Sequence, residues 1–316
     1  MTSSLNPAEN IVMDAEMVAM EPPKFMNIRQ VADYLQLNEK KIYMLASEGQ
    51  IPATKVTGKW LFPRDLVDQW LLESSHGGVL HDRLVIAGSD DPLLHRVVSQ
   101  VANSFHTAAL ISYSSTGTTQ GLTLLAKQRA EVAAIHWGPA EESHFRHPAL
   151  LSRHRQHRHW LLVHAFKREV GVVVAPGSRI RFDTLPRLLE ANMRWSLRQP
   201  GTGSQRFLEE ALTLCNARAE QLNQTQSALS EREVASQIAM GLADAGPAAR
   251  ATASEFGLDF VPIGWESFDL AMTRGVFFRN LFKELMQQLE SPDCRAQAEL
   301  LGGYDFSESG RLVWSS

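Results

Sequence analysis

The sequence predicts a mixed α/β protein in two parts, a small helical module near the N-terminus and a larger domain of alternating strands and helices. Three observations predict this organisation. Residues 24–73 contain three short amphipathic helical patterns and one hairpin pattern. After residue 80, short apolar runs alternate with helical patterns, as is typical of α/β domains. Residues 74–79, rich in Ser and Gly, are interpreted as the linker between the parts.

Composition excludes several classes of protein. A hydrophobic content of 44% and a charged content of 21% are those of an ordinary globular chain. The sequence has no apolar run near the roughly 18 residues that span a bilayer, and residues 1–23, interpreted as a disordered leader, lack the basic start of a signal peptide. We therefore expect a cytoplasmic protein without membrane contact. Two cysteines, Cys215 and Cys294, exclude a disulfide framework and a cysteine-based zinc module.

The small module is predicted to order its elements as helix, helix, hairpin, helix. Its predicted elements are the helix Ile28–Leu35, the helix Glu39–Ser47, the strands 51–56 and 59–62, and the helix Asp65–Leu72. Asn27 and Asn38 are suitable caps for the first two helices. In the last helix we expect Leu66, Trp70 and Leu71 to face inward.

Two short helices joined by a tight turn can place the second helix in the major groove of DNA, with the hairpin as a wing. Basic side chains would contact phosphates, and the exposed face of the second helix would reach base edges. The predicted DNA-binding residues are Arg29, Lys40, Lys41, Tyr43, Met44, Lys55 and Lys59. The alternative is a small helical adaptor whose lysines form a solvated face. The net charge of −4 confines any DNA contact to a local surface.

The order of residues from Ile28 to Leu71 resembles the excisionase and MerR-like family of DNA-binding domains. The resemblance lies in the tyrosine of the second helix, the G-x-I-P-A turn and a wing that ends in W-x-F. It implies a winged helix-turn-helix. Many relatives carry Arg after the wing tryptophan, where this chain has Leu61. That departure bears on the contribution of the wing to DNA affinity and leaves the predicted fold unchanged.

The larger domain is predicted from repeated strand-to-helix patterns, which favour a parallel sheet with ligands at the carboxyl ends of its strands. The predicted strands and extended segments are 83–89, 108–114, 131–138, two apolar strands within 160–178 joined by a polar hinge at Lys167-Arg168-Glu169, 194–199, two within 242–263, and 266–274. The predicted helices are 92–104, one after 114–118, 185–191, one from Ser204, 231–240, one within 242–263, 276–289 and 292–301.

Three turns rich in glycine and hydroxyl groups lead from strands into helices, at residues 88–90, 114–118 and 199–204. Each puts free N–H groups and the positive end of a helix dipole beside hydroxyl side chains, an arrangement that suits a small anion. The three together favour a binding cleft. The segment 201–204 is neither a Walker loop nor a dinucleotide fingerprint, because it lacks the required lysine and third glycine.

The segments GSD, SSTGTTQGLTLLAKQ, LRQPGTGSQRFLEEAL and GLADAGPAARATASEFGLDFVPI resemble the periplasmic-binding-protein-like domain found fused to helix-turn-helix regulators and to molybdenum cofactor biosynthesis proteins. The domain is similar in fold to molybdate- and sulfate-binding proteins and to the effector domain of LysR regulators. The resemblance implies a bilobed, type II fold over residues 80–316. Lobe I would comprise about 80–165 and 266–316, and lobe II about 170–265.

The resemblance also implies which residues line the cleft. The predicted ligand-binding residues are Ser89, Ser114, Thr116, Thr118, His136, Gln199, Thr202, Ser204, Arg206 and Glu266, with Asp244 nearby. Arg206 would pair with an anion or with an acidic wall residue. His136 could donate to the ligand, or could serve only the end of its strand.

Other patterns carry little functional signal. Six histidines, at 144, 147, 154, 157, 159 and 164, include H-x-x-H spacing, for which a metal site is the alternative interpretation. Because no cysteine or clustered carboxylate completes a ligand set and His154–His159 alternate with arginines, we interpret the segment as a basic surface loop without a metal site. The sequence has no G-x-S-x-G or H-E-x-x-H motif, so we expect no catalytic residue, no enzyme activity and no cofactor.

Together these observations predict a transcription regulator whose DNA binding responds to a small anion, acting on a double-stranded operator as a homodimer or higher oligomer. The resemblance puts molybdate, tungstate or a molybdenum cofactor-related molecule first, with formate or another small carboxylate and sulfate behind. One alternative is an enzyme or carrier of molybdenum cofactor metabolism with a vestigial helix-turn-helix. Another is a structural adaptor.

Overall fold

The computed structural model describes residues 24–75, 83–106, 109–178 and 181–315. The chain divides into two compact units, Met1–Ser75 and His76–Ser316, and each is described by itself. The predicted leader, 1–23, and most of the predicted linker, 76–79, lie outside the described residues, whereas residues 74–75 belong to a helix. No helix among the described residues is long and apolar enough to cross a membrane.

The small unit follows the predicted order of elements and adds a short strand at its start. Its elements are β1 (Phe25–Met26), α1 (Ile28–Leu35), α2 (Glu39–Ser47), β2 (Thr54–Val56), β3 (Lys59–Pro63) and α3 (Arg64–Ser75). Asn27 caps α1 in a capping box with Gln30, and Asn38 caps α2 by accepting from the backbone N–H of Lys40 at 2.7 Å. Because β1 pairs with β3, the hairpin belongs to a three-stranded sheet.

The core of the small unit contains Val31, Ile42, Phe62 and Val67, all fully buried. The prediction that Leu66 and Leu71 face inward is wrong, since their side chains are 49% and 44% exposed. Val67 and half-buried Trp70, three residues apart on α3, occupy the face that meets the core. Leu66 and Leu71 lie on either side of that face.

The larger unit is a mixed sheet covered by helices. Its strands are β4 (Arg83–Gly88), β5 (Leu110–Ser115), β6 (Val132–Ile135), β7 (Trp160–Val174), β8 (Arg194–Trp195), β9 (Asn223–Gln224), β10 (Ala245–Ala249), β11 (Asp259–Thr273), β12 (Tyr304–Asp305) and β13 (Leu312–Ser315). Its helices are α4 (Pro92–Phe105), α5 (Thr118–Ala126), α6 (Ser143–Leu151), α7 (Leu185–Glu190), α8 (Gly203–Leu214), α9 (Glu231–Ala239), α10 (Arg250–Glu255), α11 (Arg274–Phe277), α12 (Asn280–Glu290) and α13 (Pro292–Leu301).

The strands lie in the order β5-β4-β6-β11-β7-β10-β8-β9, and β12 and β13 also pair with β7. The outer groups β5-β4-β6 and β10-β8-β9 are parallel, as predicted. The pairs β6-β11, β11-β7 and β7-β10 are antiparallel, so the sheet as a whole is mixed. The reason is that β7 and β11 are long strands that run between the two parallel groups.

The predicted polar hinge at Lys167-Arg168-Glu169 is also wrong. Each of the three residues pairs with β11, opposite Ser267, Glu266 and Trp265 respectively, and β7 is one strand of 15 residues. Successive side chains of a strand point to opposite faces, so a polar triplet can remain within the strand while its middle residue points inward. Arg168 is fully buried.

A β-bulge interrupts the pairing of β7 with β11. Phe268 lies opposite Phe166 and Asp269 opposite His164, which leaves Ala165 without a partner. The extra residue reverses the alternation of side chains, so His164 points to the same face as Lys167.

Two apolar cores lie at opposite ends of the long strands and define two lobes. Lobe I packs α4, α12 and α13 on the β4 group, around Ile86, Val97 and Leu285. Lobe II packs α7 and α8 on β8 and β10, around Trp195 and Leu212. The β7–β11 ribbon contributes to both cores and connects the lobes.

The segment 144–164 is not a basic surface loop. It forms α6, a 3₁₀ helix (Arg155–His159) and the start of β7. His147 and His164 are buried there, because Nδ1 of each contacts the buried carboxylate of Asp269, at 2.6 and 2.7 Å. No cluster of three potential metal ligands occurs in the part of the chain that the structure describes.

Candidate functional site

The N-termini of α5 and α8 meet between the two lobes. Gly117 precedes α5 and Thr202 precedes α8, and neither residue caps its helix through a side chain. The loops touch directly: the backbone N–H and Oγ1 of Thr119 both donate to the carbonyl of Gly201, at 3.3 and 2.9 Å. Two positive helix ends therefore lie side by side, one from each lobe.

Gly203, the first residue of α8, allows the closest approach between the lobes. A Cβ placed there would lie 2.4 Å from the carbonyl oxygen of His136 and 2.5 Å from Cε1 of its ring. Such distances do not occur in real packing, so the residue at this position must be glycine for the loops to meet as they do.

Several predicted ligand-binding residues are brought together here. Oγ of Ser89 lies 2.8 Å from Oγ1 of Thr118, which donates to the carbonyl of His136 at 2.9 Å. Oγ1 of Thr202 donates to the carbonyl of Gln199 at 2.9 Å. Ser89, Thr118, His136 and Thr202 are all buried. His136 and Thr202 lie at the contact between the lobes, against Gly203 and Gly117 respectively, and Ser89 and Thr118 connect to His136 within lobe I.

Four buried polar atoms around these loops have no hydrogen-bond partner among the described residues. They are Oγ1 of Thr116, Oε1 of Gln199, Oγ of Ser204 and Nε of Arg198. A buried polar atom without a partner costs about 1–3 kcal/mol. Three of the four, those of Thr116, Gln199 and Ser204, belong to residues predicted to bind ligand.

A buried ion cluster lies beside these loops, with the guanidinium of Arg168 at its centre. Arg168 donates to carboxylates of Asp91 at 3.1 Å, Glu231 at 2.8 Å and Glu266 at 2.8 Å, and to the carbonyl of Asp90 at 2.6 Å. Asp91 caps α4 in lobe I, and Glu231 begins α9 in lobe II. One side chain of the connecting ribbon therefore joins both lobes.

The charges in this cluster shift the pKa values of its carboxylates in different directions. Burial raises the pKa of Asp91 and of Glu231, and the nearby charge of Arg168 offsets only part of that effect. Burial acts to raise the pKa of Glu266 as well, but the charges of His136 and Arg168 outweigh it and the pKa is lowered. Nδ1 of His136 lies 2.6 Å from a carboxylate oxygen of Glu266, so Glu266 contacts both His136 and Arg168.

Some predicted residues lie elsewhere. Ser114 is exposed in β5, away from the buried hydroxyl groups. Arg206 is exposed and donates to Glu210 on its own helix at 2.7 Å. Asp244 pairs with exposed Arg194 at 2.7 Å.

Sequence reasoning missed Arg168 and Arg198. The sequence carried one signal for Arg168: it is a charged residue in the middle of a long, mostly apolar segment, which forms β7. Arg198 lies in the segment LRQPGTGSQRFLEEAL that carries the resemblance, but it is not among the predicted ligand-binding residues. Burial lowers the pKa of Arg198.

In the small unit, the structure exposes every residue predicted to contact DNA. They are Arg29, Lys40, Lys41, Tyr43, Met44, Lys55 and Lys59. Tyr43 and Met44 are 51% and 37% exposed on α2. Nζ of Lys55 lies 5.6 Å from the ring centroid of Trp60 across the hairpin. The predicted DNA-binding residues thus include both exposed cations and accessible apolar groups.

Comparisons with known proteins place this fold. The chain is 22% identical over 305 residues to the uncharacterized protein YvgK of Bacillus subtilis (strain 168), covering 90% of this chain and 96% of that protein. A cysteine mutant of Corynebacterium glutamicum OxyR aligns with a TM-score of 0.52 at 12% identity, covering 86% of this chain and 90% of that one. A protein described as a phosphate ABC transporter substrate-binding protein, from Clostridium perfringens, aligns at 0.50 and 11% identity, covering 71% and 99%.

The family comparison covers both units. Residues 25–75 match a helix-turn-helix domain, and residues 100–290 match the PBP superfamily domain. The predicted combination of a helix-turn-helix with a bilobed, type II binding-protein fold is confirmed. Since the second match covers more than half of the 316 residues, the chain belongs to the PBP superfamily and carries a helix-turn-helix domain on its N-terminal side.

Proposed function

We propose that this ligand-sensing, DNA-binding regulator takes a small oxyanion between the N-termini of α5 and α8, and that the bound anion changes its affinity for an operator. The observation that carries the proposal is the pair of buried, unpartnered hydroxyls of Thr116 and Ser204 at these helix ends. Backbone N–H groups at helix N-termini and hydroxyls are the donors that anion sites use. The phosphate named with the Clostridium perfringens structure is an oxyanion of the same class.

The charges of the site favour particular anions. Arg168 is saturated by carboxylates, so neutral donors and the Nε of Arg198 would hold the ligand. Molybdate, tungstate and sulfate carry no proton at neutral pH and need donors only. Phosphate keeps a proton and would need an acceptor as well. We therefore put molybdate and tungstate first, sulfate next, and small carboxylates such as formate after them.

Signal transmission follows from the contact between lobes. A ligand that touches both α5 and α8 stabilises the closed arrangement, in which Thr119 donates to Gly201. The proposal requires that closed and open arrangements differ in affinity for DNA. Binding as a homodimer on a two-fold symmetric operator belongs to the proposal.

Anion binding is tested by titrating the full chain with molybdate, tungstate, sulfate, phosphate and formate in a calorimeter. Saturable binding of a tetrahedral dianion is expected, and Thr116→Val and Ser204→Ala should each weaken it about tenfold, because each removes a donor from a buried anion. Ser254→Ala, which removes an exposed hydroxyl on α10, is the control and should change nothing. If none of the five anions bound, the proposal that the site takes a small oxyanion would be rejected.

DNA binding is tested by fluorescence anisotropy on the DNA upstream of the protein's own coding sequence. Lys40→Ala and Lys41→Ala should each reduce affinity about three- to tenfold and lower the salt dependence by about one released ion, because each removes one phosphate contact. Lys283→Ala, an exposed lysine of the larger unit, is the matched control. Equal losses for Lys41→Ala and Lys283→Ala would remove α2 from the interface, and absence of salt-sensitive binding would favour the adaptor alternative.

A further inference from the structure

A cavity lies in the larger unit, on the face of the β7–β11 ribbon that Arg168 and Glu266 do not occupy. Its volume is about 600 Å³, within the range of small-molecule sites. Lys167 of β7 and Trp265, Ser267 and Asp269 of β11 form its floor. The 3₁₀ helix Ala140–Glu142, α6 and the chain after β12 supply its walls. None of the residues proposed to hold the oxyanion lines it.

The floor of this cavity contains a built polar group. Asp269 accepts from Nδ1 of both His147 and His164, at 2.6 and 2.7 Å, and all three side chains are buried to 97% or more. In that pairing the Nδ1–H group of each ring donates to the aspartate, and Nε2 points away from it. His164 lines the cavity, and its buried Nε2 has no hydrogen-bond partner among the described residues. In a neutral imidazole this atom is an acceptor that needs a donor.

The charges around the cavity favour a cation. Glu308 lies 3.2 Å from Nζ of Lys167 and also pairs with Arg311, so one carboxylate engages both cations of the lining. Glu141, Asp269 and Asp305 remain as further carboxylates of the lining. Among the carboxylate, lysine and arginine side chains of the lining, four carboxylates face two cations. Trp265, 39% exposed, offers an indole face of the kind that binds organic cations.

We propose that this cavity binds a small organic ammonium or amidinium ion, whose N–H group donates to Nε2 of His164 and whose charge lies between Trp265 and the carboxylates of the lining. The site adds a second ligand of opposite charge to the proposed function and does not depend on the oxyanion site. Because β7 and β11 connect the lobes, the cation would contact the same ribbon that Arg168 occupies from its other face.

Calorimetric titration of the full chain with benzylamine, benzamidine and putrescine tests the proposal, with benzyl alcohol and benzoate as uncharged and anionic counterparts. We expect saturable binding of at least one of the three cations and none of the counterparts. Preferential binding of benzoate, or no saturation by any cation up to about 10 mM, would overturn it.

Variants of residues that line the cavity test whether the cation binds there. His164→Gln should weaken it about tenfold by replacing the acceptor, and Trp265→Leu about threefold by removing the aromatic face. Because His164 is buried and its variant could misfold, exposed Glu141→Gln provides a second reading, with an expected loss of about threefold. Its control is Glu220→Gln, an exposed glutamate on a comparable 3₁₀ helix away from the cavity. Equal affinities in Glu141→Gln, Trp265→Leu and Glu220→Gln would place the cation elsewhere and refute the site.

Discussion

Replacing Arg168 with methionine is expected to lower the free energy of unfolding of the larger unit by about 3–5 kcal/mol, because it leaves three buried carboxylates without their shared cation. Methionine approximates the length of the side chain, so the loss reports charge more than volume. The measurement is urea-induced unfolding of the full chain, followed by circular dichroism. Arg187→Met, in which the lost ion pair with Asp183 is exposed on both sides, should change stability by less than about 0.5 kcal/mol.

The loss at Arg168 should depend on pH. Burial raises the folded-state pKa values of Asp91 and Glu231, and the charge of Arg168 opposes that rise, so without the cation both pKa values lie further above those of the unfolded chain. A carboxyl with a raised pKa favours the folded state at low pH and loses that contribution as pH rises through the folded-state pKa. The difference between variant and wild type should therefore be largest near neutral pH and shrink toward about pH 5. A difference that grew on acidification would contradict the assignment of three carboxylates to one guanidinium.

The variant Gly203→Ala is expected to keep the two lobes from closing. Its Cβ would overlap the carbonyl oxygen and ring of His136, so the loops before α5 and α8 must separate. We expect a loss of about 1–3 kcal/mol in the free energy of unfolding. Affinity for the anion that binds best in the titration should fall at least about tenfold, since the ligand would no longer touch both helix ends.

A matched glycine tests whether the effect at Gly203 is local. The nearest atom to a Cβ at Gly275 is 3.9 Å away, in a short helix of lobe I, so Gly275→Ala should be neutral or slightly stabilising. Unchanged anion affinity in Gly203→Ala would show that closure of this contact is not required for binding.

The local elements could be predicted from sequence because their signals are local. Asn27 and Asn38 specify the first two helix starts, and the strand-to-helix turns at 88–90, 114–118 and 199–204 all precede helices in the structure. The predicted last long helix, 276–289, is instead two helices, α11 and α12, separated at Phe278–Arg279. The two short strands after residue 303 were not predicted, because both form only by pairing with β7.

The buried charges could not be predicted because their partners are distant in sequence. Arg168 is paired with Asp91 and Glu231, 77 and 63 residues away, and Asp269 binds His147 across 122 residues. The local sequence around each of these residues is the kind found in solvated turns or basic loops. Only the pairing of β7 with β11 brings the complementary groups together and makes their burial possible.

Ala165, which has no partner on β11, keeps His164 and Arg168 on opposite faces of the ribbon. In an uninterrupted strand, residues 164 and 168 share a face, and the histidine would lie in the same compartment as the guanidinium. The bulge at Ala165 shifts the alternation of side chains by one residue. One strand can therefore place charged groups on both of its faces, the guanidinium on one and the histidine on the other. Deletion of that residue would move the side chain of every earlier position in the strand to the opposite face of the sheet. Polar groups from both faces would then meet on one face, and apolar residues would leave the core.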